Sequence, residues 1–297
     1  MNRKMAFVST CALDGWHEYG ENFVTSFIEH FPENTVLYFY KDFKTRLQHP
    51  RVIYRNIELC DGLNRFQDRV ARHGFATGSR IVHDTHVAAH APKVIWNARK
   101  FSFKVFSVED AVLNSDADVV TWLDADTIAF RDVASKVIEE MIPPYCMTSY
   151  LGRANLYSEC GYVSYNRQHP WTESFVREFA SLYRDGVVFG MKEWHDSYVY
   201  DVLRTAFENR YGIRNYNISH DEMSASHVFI NSRIGLYLDH MKGGRKAEGS
   251  SRTGDLVVDH DIDYWKKKKK KKPAKPKAAE VSPADPATPE DAPGKPG

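Results

Sequence analysis

The stretch Val119-Val120-Thr121-Trp122-Leu123-Asp124-Ala125-Asp126-Thr127 decides the fold class and holds the first candidate site. Residues 118–123 form a short, largely β-branched and apolar run, which is typical of a buried central strand. Two acidic residues follow where this strand ends. Because residues i and i+2 of an extended backbone project to the same side, Asp124 and Asp126 can direct two carboxylates at one point.

Around this strand the sequence alternates between short apolar runs and stretches of helical period, which predicts a layered α/β domain. Further strands are expected at residues 5–9, 36–40 and 52–57. Helices are expected over residues 97–113 and 193–207, and around the apolar sets that end at Phe31 and Leu182. Residues 61–92 show only weak periodicity, and no element is predicted there.

The composition changes at a run of seven lysines that begins at Lys266 and ends at Lys272. The segment after it carries seven of the chain's 13 prolines. Such a composition cannot bury a core, so a folded domain is predicted over residues 1–265 and a disordered tail over residues 266–297. The tail is interpreted as a solvated segment, with docking of the lysines on anionic lipid as the alternative. Trp265, directly before the run, favours the lipid contact.

Charge and cysteine content restrict the partners and the compartment. The chain has 40 basic and 39 acidic residues. The tail holds ten of the basic and four of the acidic residues, which leaves 30 basic and 35 acidic residues in the body and a net charge of −5 there. Nucleic acid is therefore not an expected partner, because duplex binding needs a basic surface. The four cysteines are widely spaced, which favours free thiols in a reducing compartment. The sequence shows no signal peptide and no apolar run of ~20 residues, so a cytoplasmic protein with at most peripheral membrane contact is expected.

A pair of carboxylates at a strand end suits Mg²⁺ or Mn²⁺, which accept a few carboxylates and keep their other positions for water and substrate phosphate. The same tripeptide occurs as Asp116-Ala117-Asp118 at the entrance of the strand. Ligands of open α/β sheets bind outside the carboxyl ends of the strands. The cation is therefore assigned to Asp124 and Asp126, and the earlier pair to a solvated turn.

A second candidate element near the end of the body reads Asp239-His240-Met241-Lys242-Gly243-Gly244-Arg245-Lys246. It offers an imidazole ligand, two glycines that let backbone approach a phosphate, and cations that can neutralise a diphosphate leaving group. Imidazole suits the softer ion better, so His240 favours Mn²⁺ over Mg²⁺.

The strand that ends in Asp124-Ala125-Asp126 and the His240-x-x-Gly243-x-x-Lys246 spacing resemble the motifs of GT-A glycosyltransferases, most closely the retaining glycogenin and bacterial lipopolysaccharide galactosyltransferase group. The segment Glu159-Cys160-Gly161-Tyr162-Val163-Ser164-Tyr165-Asn166 is similar to the middle segment of that fold, near the donor sugar. The resemblance implies a single GT-A domain with a mixed central sheet flanked by helices. It also implies that Asp124, Asp126 and His240 hold the cation and that Gly243 and Lys246 contact the donor diphosphate.

The resemblance further implies transfer of a hexose from a nucleotide-sugar donor, a UDP-sugar, to an acceptor hydroxyl. Retention is the preferred outcome, with Asp196 lining the donor-sugar pocket. Under inversion, Asp196 or Glu193 is the candidate general base. Lys100 and Lys104, on the helix before the central strand, are candidates to reach the donor phosphate or sugar hydroxyls.

Two other functions stay open. A sugar nucleotidyltransferase usually carries a glycine-rich phosphate loop after its first strand, and the stretch Ser9-Thr10-Cys11-Ala12-Leu13-Asp14-Gly15 has one glycine. A non-catalytic carbohydrate-binding or scaffold protein could keep the same fold.

Overall fold

The computed structural model describes residues 3–72, 97–219 and 227–266. Within these residues, extended backbone forms nine strands. They are β1 (Met5–Thr10), β2 (Thr35–Lys41), β3 (Val52–Asn56), β4 (Val119–Leu123), β5 (Thr127–Ala129), β6 (Thr148–Arg153), β7 (Leu156–Asn166), β8 (Tyr216–Asn217) and β9 (Leu238–His240).

The described α-helices are α1 (Leu13–Gly15), α2 (Glu21–His30), α3 (Asp61–Ala71), α4 (Ala98–Asn114), α5 (Ser135–Glu140), α6 (Thr172–Arg184), α7 (Asp196–Tyr211), α8 (Val228–Asn231) and α9 (Asp263–Lys266). A π-helical turn over Trp16–Gly20 joins α1 to α2. Short 3-10 helices cover Ile57–Leu59, Val187–Gly190, Arg233–Leu236, Gly243–Glu248 and Thr253–Asp255.

Seven strands form the central sheet in the order β3-β2-β1-β4-β7-β6-β8. The strands from β3 to β4 are parallel, whereas β7 runs antiparallel to both β4 and β6. Strands β5 and β9 form a separate antiparallel pair. The carboxyl ends of β1 and β4 therefore meet at one edge, and β5 begins there directly after the turn that follows β4.

The sheet has a hydrophobic cluster on each face. Val120 and Trp122 of β4 belong to one cluster with residues of α3, α4, α6 and α7, and Val119 and Leu123 belong to the other with residues of α2, α5 and α8. Strand β4 is apolar at successive positions because both of its faces are covered. The α/β architecture with a mixed central sheet flanked by helices, predicted from the sequence, is confirmed.

The predicted strands at residues 5–9, 36–40 and 52–57 correspond to β1, β2 and β3, and the predicted helix at 97–113 corresponds to α4. Helix α3 lies in the region where no element was predicted. Each of the four cysteines is unpaired, in agreement with the prediction of free thiols. Residues 73–96 and the predicted tail from residue 267 onward lie outside the described residues.

Trp265 does not support the lipid-contact interpretation of the tail. Its side chain is 3% exposed, and its indole Nε1–H donates a hydrogen bond to the Gly235 carbonyl oxygen at 3.0 Å. Trp265 is therefore the residue by which α9 packs into the core. No helix in the described part of the chain combines the length and apolar character needed to cross a bilayer.

Candidate active site

The candidate site forms at the turn between β4 and β5. The Asp124 N–H donates to the Gly161 carbonyl oxygen at 3.0 Å, and the Thr127 N–H donates to the Asp124 carbonyl oxygen at 3.1 Å. Thr127, the first residue of β5, is paired in register with His240 at the end of β9. Strand pairing therefore brings His240 from far along the chain to the two carboxylates that leave β4.

Three ligand groups converge at this point. His240 Nε2 lies 3.1 Å from Asp126 Oδ1 and 3.5 Å from Asp124 Oδ2. Adjacent ligands of an octahedral Mg²⁺ or Mn²⁺ ion at about 2.1 Å stand about 3.0 Å apart. Two carboxylate oxygens and an imidazole nitrogen at these separations fit the ligand set of one such ion.

The second oxygen of each carboxylate contacts a separate donor. Asp124 Oδ1 accepts a hydrogen bond from the Trp122 indole Nε1–H at 2.6 Å. Asp126 Oδ2 lies 2.9 Å from Lys246 Nζ. Each carboxylate is therefore held from one side and presents its other oxygen to His240.

His240 is itself held by a buried acid that the sequence reasoning left without a role. Its Nδ1 lies 3.1 Å from Glu159 Oε1, on β7. The Glu159 side chain is 3% exposed, and its second oxygen lies 3.2 Å from Lys242 Nζ. The only sequence signal for this residue was its place at the start of the segment 159–166, which lies in the buried part of β7.

The protonation equilibria follow from these contacts. Burial alone would raise the pKa of both aspartates, but Lys104 and His240 hold the pKa of Asp124 below its usual range, and chiefly His240 does the same for Asp126. Burial would lower the pKa of His240, yet the surrounding carboxylates, Asp126 first among them, raise it well above its ordinary value. The cluster thus favours a positive charge at this point, which a proton or a divalent cation can supply.

Lys104 links the carboxylate of Asp124 to α7. Its ammonium Nζ lies 2.7 Å from Asp196 Oδ2 and 3.7 Å from Asp124 Oδ1, and it donates to the Cys160 carbonyl oxygen. Burial would lower the pKa of Lys104, but Asp196 and Asp124 raise it above its ordinary value. Asp196, the first residue of α7, is therefore part of the same charged cluster as Asp124.

Glu193 and Lys100 were also predicted as site residues, and their described contacts are with other groups. Glu193 Oε2 is 2.7 Å from His195 Nε2, and its Oε1 accepts a hydrogen bond from the Tyr157 hydroxyl at 3.3 Å. Lys100 is solvent-exposed in the first turn of α4, where its backbone N–H is capped by Asn97. Lys100 thus stands one turn before Lys104 on the same helix face.

Gly243 opens the short 3-10 helix that carries Lys246. Its φ of +62° lies in the left-handed region that favours glycine. A Cβ placed at either Gly243 or Gly244 would meet no described atom within 4 Å, so the backbone there is open to an approaching group.

The earlier Asp116-Ala117-Asp118 tripeptide lies at the opposite end of β4. Asp116 pairs with Lys4 at 3.2 Å and its side chain is 81% exposed. Asp118 Oδ2 accepts the Lys4 backbone N–H at 2.7 Å. This pair has the solvated, structural character that was predicted for it.

Comparison with known proteins finds distant similarity among solved structures. No protein-family model matches the chain, and no curated protein matches it. Among solved structures, the chain is similar to the bifunctional glycosyltransferase WbbM (12% identity, 73% of this chain and 39% of that one, TM-score 0.42). It is also similar to a glycosyltransferase involved in the glycosylation of the major capsid of PBCV-1 (13% identity, 82% and 97%, TM-score 0.42). A third similar structure is the glycosyltransferase GlyE of Streptococcus pneumoniae TIGR4 (14% identity, 71% and 44%, TM-score 0.38). The chain thus spans less than half the length of WbbM and of GlyE.

Proposed function

We propose that this protein is a metal-dependent glycosyltransferase of hexosyltransferase type, which moves a sugar from a UDP-sugar to an acceptor hydroxyl. One observation carries the proposal: Asp124 and Asp126 leave the end of β4 towards His240 of β9, at separations that fit one octahedral cation. The chemistry of the three ligands favours Mn²⁺, with Mg²⁺ as the alternative.

Asp124, Asp126 and His240 are the residues that would hold this cation. When bound, it supplies Lewis-acid stabilisation of the negative charge that develops on a leaving diphosphate. Trp122 and Lys246 each hold one carboxylate from the side away from His240, so the ligand geometry is set before any substrate arrives.

The diphosphate of the donor would lie against the 3-10 helix Gly243–Glu248. The open backbone at Gly243 and Gly244 allows close approach of phosphate oxygens. Lys246 directs its ammonium towards the same carboxylate that binds the cation, so it adds a second positive charge where leaving-group charge develops. A single well-placed electrostatic contact of this kind lowers a barrier by about 3 kcal/mol.

The donor sugar would lie on the side of Asp196 and Lys104. Their 2.7 Å ion pair, together with the 3.7 Å contact between Lys104 and Asp124, connects the candidate cation carboxylate to the start of α7. The proposal assigns Asp196 to the donor-sugar pocket and favours retention. Glu193 is bound to His195 and Tyr157, which leaves it as the candidate base only under inversion.

The chain after β1 disfavours nucleotidyl transfer. Residues Leu13–Gly15 and Trp16–Gly20 are helical from shortly after the strand, and they lead directly into α2. A loop that wraps a triphosphate needs several glycines so that its backbone can approach the phosphates, and residues 9–15 contain one, Gly15.

The test is a thermal-shift panel of nucleotides and nucleotide-sugars, each with and without Mn²⁺, followed by measurement of UDP release. A ligand that binds only the native state raises its stability, so UDP at about 100 times its Kd with Mn²⁺ should raise Tm by about 5 °C or more. UDP-sugars should then slowly release UDP. Pyrophosphate exchange would instead indicate a nucleotidyltransferase, and no response to any nucleotide would indicate a binding or scaffold protein.

A further inference from the structure

We propose that Glu159 is a positioning residue that fixes the orientation and the protonated nitrogen of His240, and that cation affinity depends on it. The inference rests on the proposed function, because it concerns the same cation site. It adds a buried carboxylate from a different strand of the central sheet to the three groups that face the ion.

Of the two imidazoles beside Glu159 Oε1, His240 is the nearer, since His227 Nδ1 lies 3.6 Å from the same oxygen. Glu159 Oε1 lies 3.1 Å from His240 Nδ1, while Nε2 of the same ring faces Asp124 and Asp126. Both the Glu159 and the His240 side chains are at most 4% exposed, so water does not compete for the bond. The carboxylate and the cation ligands thus lie at opposite nitrogens of one imidazole.

A neutral imidazole has one N–H and one lone pair, and the neighbour of one nitrogen decides which it carries. An ionised Glu159 accepts a hydrogen bond and cannot donate one, so it places the proton of neutral His240 on Nδ1. The lone pair is then on Nε2, directed at the carboxylates. Lys242 Nζ, 3.2 Å from Glu159 Oε2, supplies the positive partner that a buried carboxylate needs.

Glu159 also holds the segment that follows His240. Its Oε2 lies 3.2 Å from Lys242 Nζ, two residues further along the chain. Between these contacts, the Met241 N–H donates to the Asp126 carbonyl oxygen at 2.8 Å. One carboxylate therefore contacts the residues on both sides of Met241, which fixes the segment against β7 as well as against the turn after β4.

Two further residues, Phe229 and His227, also contact His240. Phe229 packs on the imidazole with ring centroids 5.0 Å apart. His227 Nε2 lies 2.9 Å from the His240 carbonyl oxygen. Glu159, His227 and His240 also lie close enough to hold an ion themselves, but His240 would then turn its Nδ1 lone pair to Glu159 and its proton to the aspartates. The position of the ring proton distinguishes the two arrangements.

The first experiment measures Mn²⁺ binding by the loss of the free-ion electron paramagnetic resonance signal. Glu159→Gln keeps the shape of the side chain and removes its charge, and it should weaken Mn²⁺ binding 10–100-fold, as loss of a partner behind a metal-bound histidine does. Asp201→Asn is the matched control, because Asp201 is also a largely buried acid close to this part of β7. Its carboxylate accepts hydrogen bonds from the backbone N–H and the hydroxyl of Ser158, the residue before Glu159. This control should bind Mn²⁺ with the affinity of the wild type even where its Tm falls.

A second measurement needs no substitution at Glu159. Long-range ¹H–¹⁵N spectra of ¹⁵N-histidine-labelled wild-type protein with Mg²⁺ should show that His240 carries its ring proton on Nδ1 and none on Nε2. A His240→Gln sample assigns the signals. A proton on Nε2 would overturn the inference, even if Glu159→Gln failed to fold.

The outcomes separate this inference from the proposed function. If Asp126→Asn abolishes Mn²⁺ binding while Glu159→Gln binds as tightly as the wild type, the positioning role is overturned and the cation site stands. If Glu159→Gln abolishes binding as completely as Asp126→Asn, Glu159 is a direct ligand, which also overturns a positioning role. If the wild-type protein shows no saturable Mn²⁺ binding, both the inference and the metal-dependent function fail.

Discussion

The imidazole of His240 packs directly on the backbone of Gly161. A Cβ at residue 161 would stand 2.7 Å from His240 Cε1 and 2.9 Å from Nδ1, closer than side-chain carbons approach one another. The carbonyl oxygen of Gly161 also accepts the Asp124 N–H. Gly161 of β7 thus contacts the histidine ring and also holds the backbone of Asp124, a residue of the same candidate cation site.

Gly161→Ala is therefore expected to displace the His240 ring. We expect about tenfold weaker Mn²⁺ binding, comparable to the loss of a group that orients a ligand. Overpacking a buried position also costs about 1–3 kcal/mol of folding free energy. Isothermal titration with Mn²⁺ and denaturant unfolding measure the two effects.

The control for this substitution is Gly254→Ala, because a Cβ at Gly254 meets no described atom within 4 Å. It should leave Mn²⁺ affinity unchanged. Wild-type affinity in Gly161→Ala would show that the imidazole does not need its present position to bind the ion.

The two Asp-x-Asp tripeptides provide a matched pair of substitutions. Asp126→Asn removes a charge that faces His240, whereas Asp116→Asn removes one from an exposed residue at the other end of β4. We expect Asp126→Asn to reduce Mn²⁺-dependent UDP release at least 100-fold, and Asp116→Asn to leave it unchanged, since surface ion pairs contribute little. Equal activity in the two variants would remove the cation assignment.

The sequence predicts the central strand, the acids at its end and the α/β class because these depend on local pattern. Strand β4 is apolar on both faces, and residues i and i+2 of an extended backbone diverge little in direction. Strands β1, β2 and β3 could be predicted in the same way, since each carries a short apolar run.

Helix α3 was missed although Leu63, Phe66 and Val70 repeat at helical spacing. Apart from Gly62 and Ala71 its other positions are polar, so three apolar residues on one face were too few to distinguish it from a loop.

Contacts between distant segments could not be predicted from one sequence. Glu159 reaches His240 only because β7 lies beside β4, and Lys104 reaches Asp196 only because α4 packs near the start of α7. Such pairings depend on sheet order and helix packing, which local composition does not encode.

Breaking the Lys104–Asp196 ion pair is expected to lower the free energy of unfolding. Both side chains are at most 10% exposed, and Lys104→Met would leave Asp196 and Asp124 without this cation. Removing one partner of a buried pair costs about 3 kcal/mol or more. Denaturant unfolding should show this loss in Lys104→Met and little change in Lys100→Met, one turn earlier and exposed.

A double variant tests whether the loss comes from the unpaired charge. Lys104→Met combined with Asp196→Asn removes both charges of the pair and should recover part of the lost stability. If the loss of unfolding free energy in the double variant equals the sum of the losses in the two single variants, the two charges do not interact.

The pair Arg245–Asp255 predicts a pH dependence of stability. Arg245 donates to Asp255 from Nε at 2.6 Å and from a second guanidinium nitrogen, and this hydrogen bond lowers the pKa of Asp255. A carboxyl with a lower pKa in the folded state stabilises the protein above its unfolded pKa of about 3.9, and the contribution is lost as pH falls through the folded pKa.

The measurement is the difference in Tm between wild type and Asp255→Asn as a function of pH. The difference should be constant above about pH 5 and should shrink below about pH 4. In an Arg245→Met background the same substitution should produce little pH dependence. A difference that grows as pH falls would contradict the assigned sign.

The lysine run 266–272 allows a test between the two interpretations of the tail, a solvated segment and docking on anionic lipid. Trp265 is buried and bonded to Gly235, so it cannot anchor the chain by inserting into lipid. Each lysine near an anionic surface contributes about 1 kcal/mol, and this attraction is screened when salt shortens the Debye length to ~3 Å near 1 M. If the lysines dock on lipid, the chain should sediment with phosphatidylserine vesicles at low salt, dissociate at high salt, and not bind neutral phosphatidylcholine vesicles. With a solvated tail, the chain should stay in solution at every salt concentration. Replacing the lysines after Lys266 with glutamine should abolish sedimentation without changing Tm, and binding that survives high salt would contradict a purely electrostatic contact.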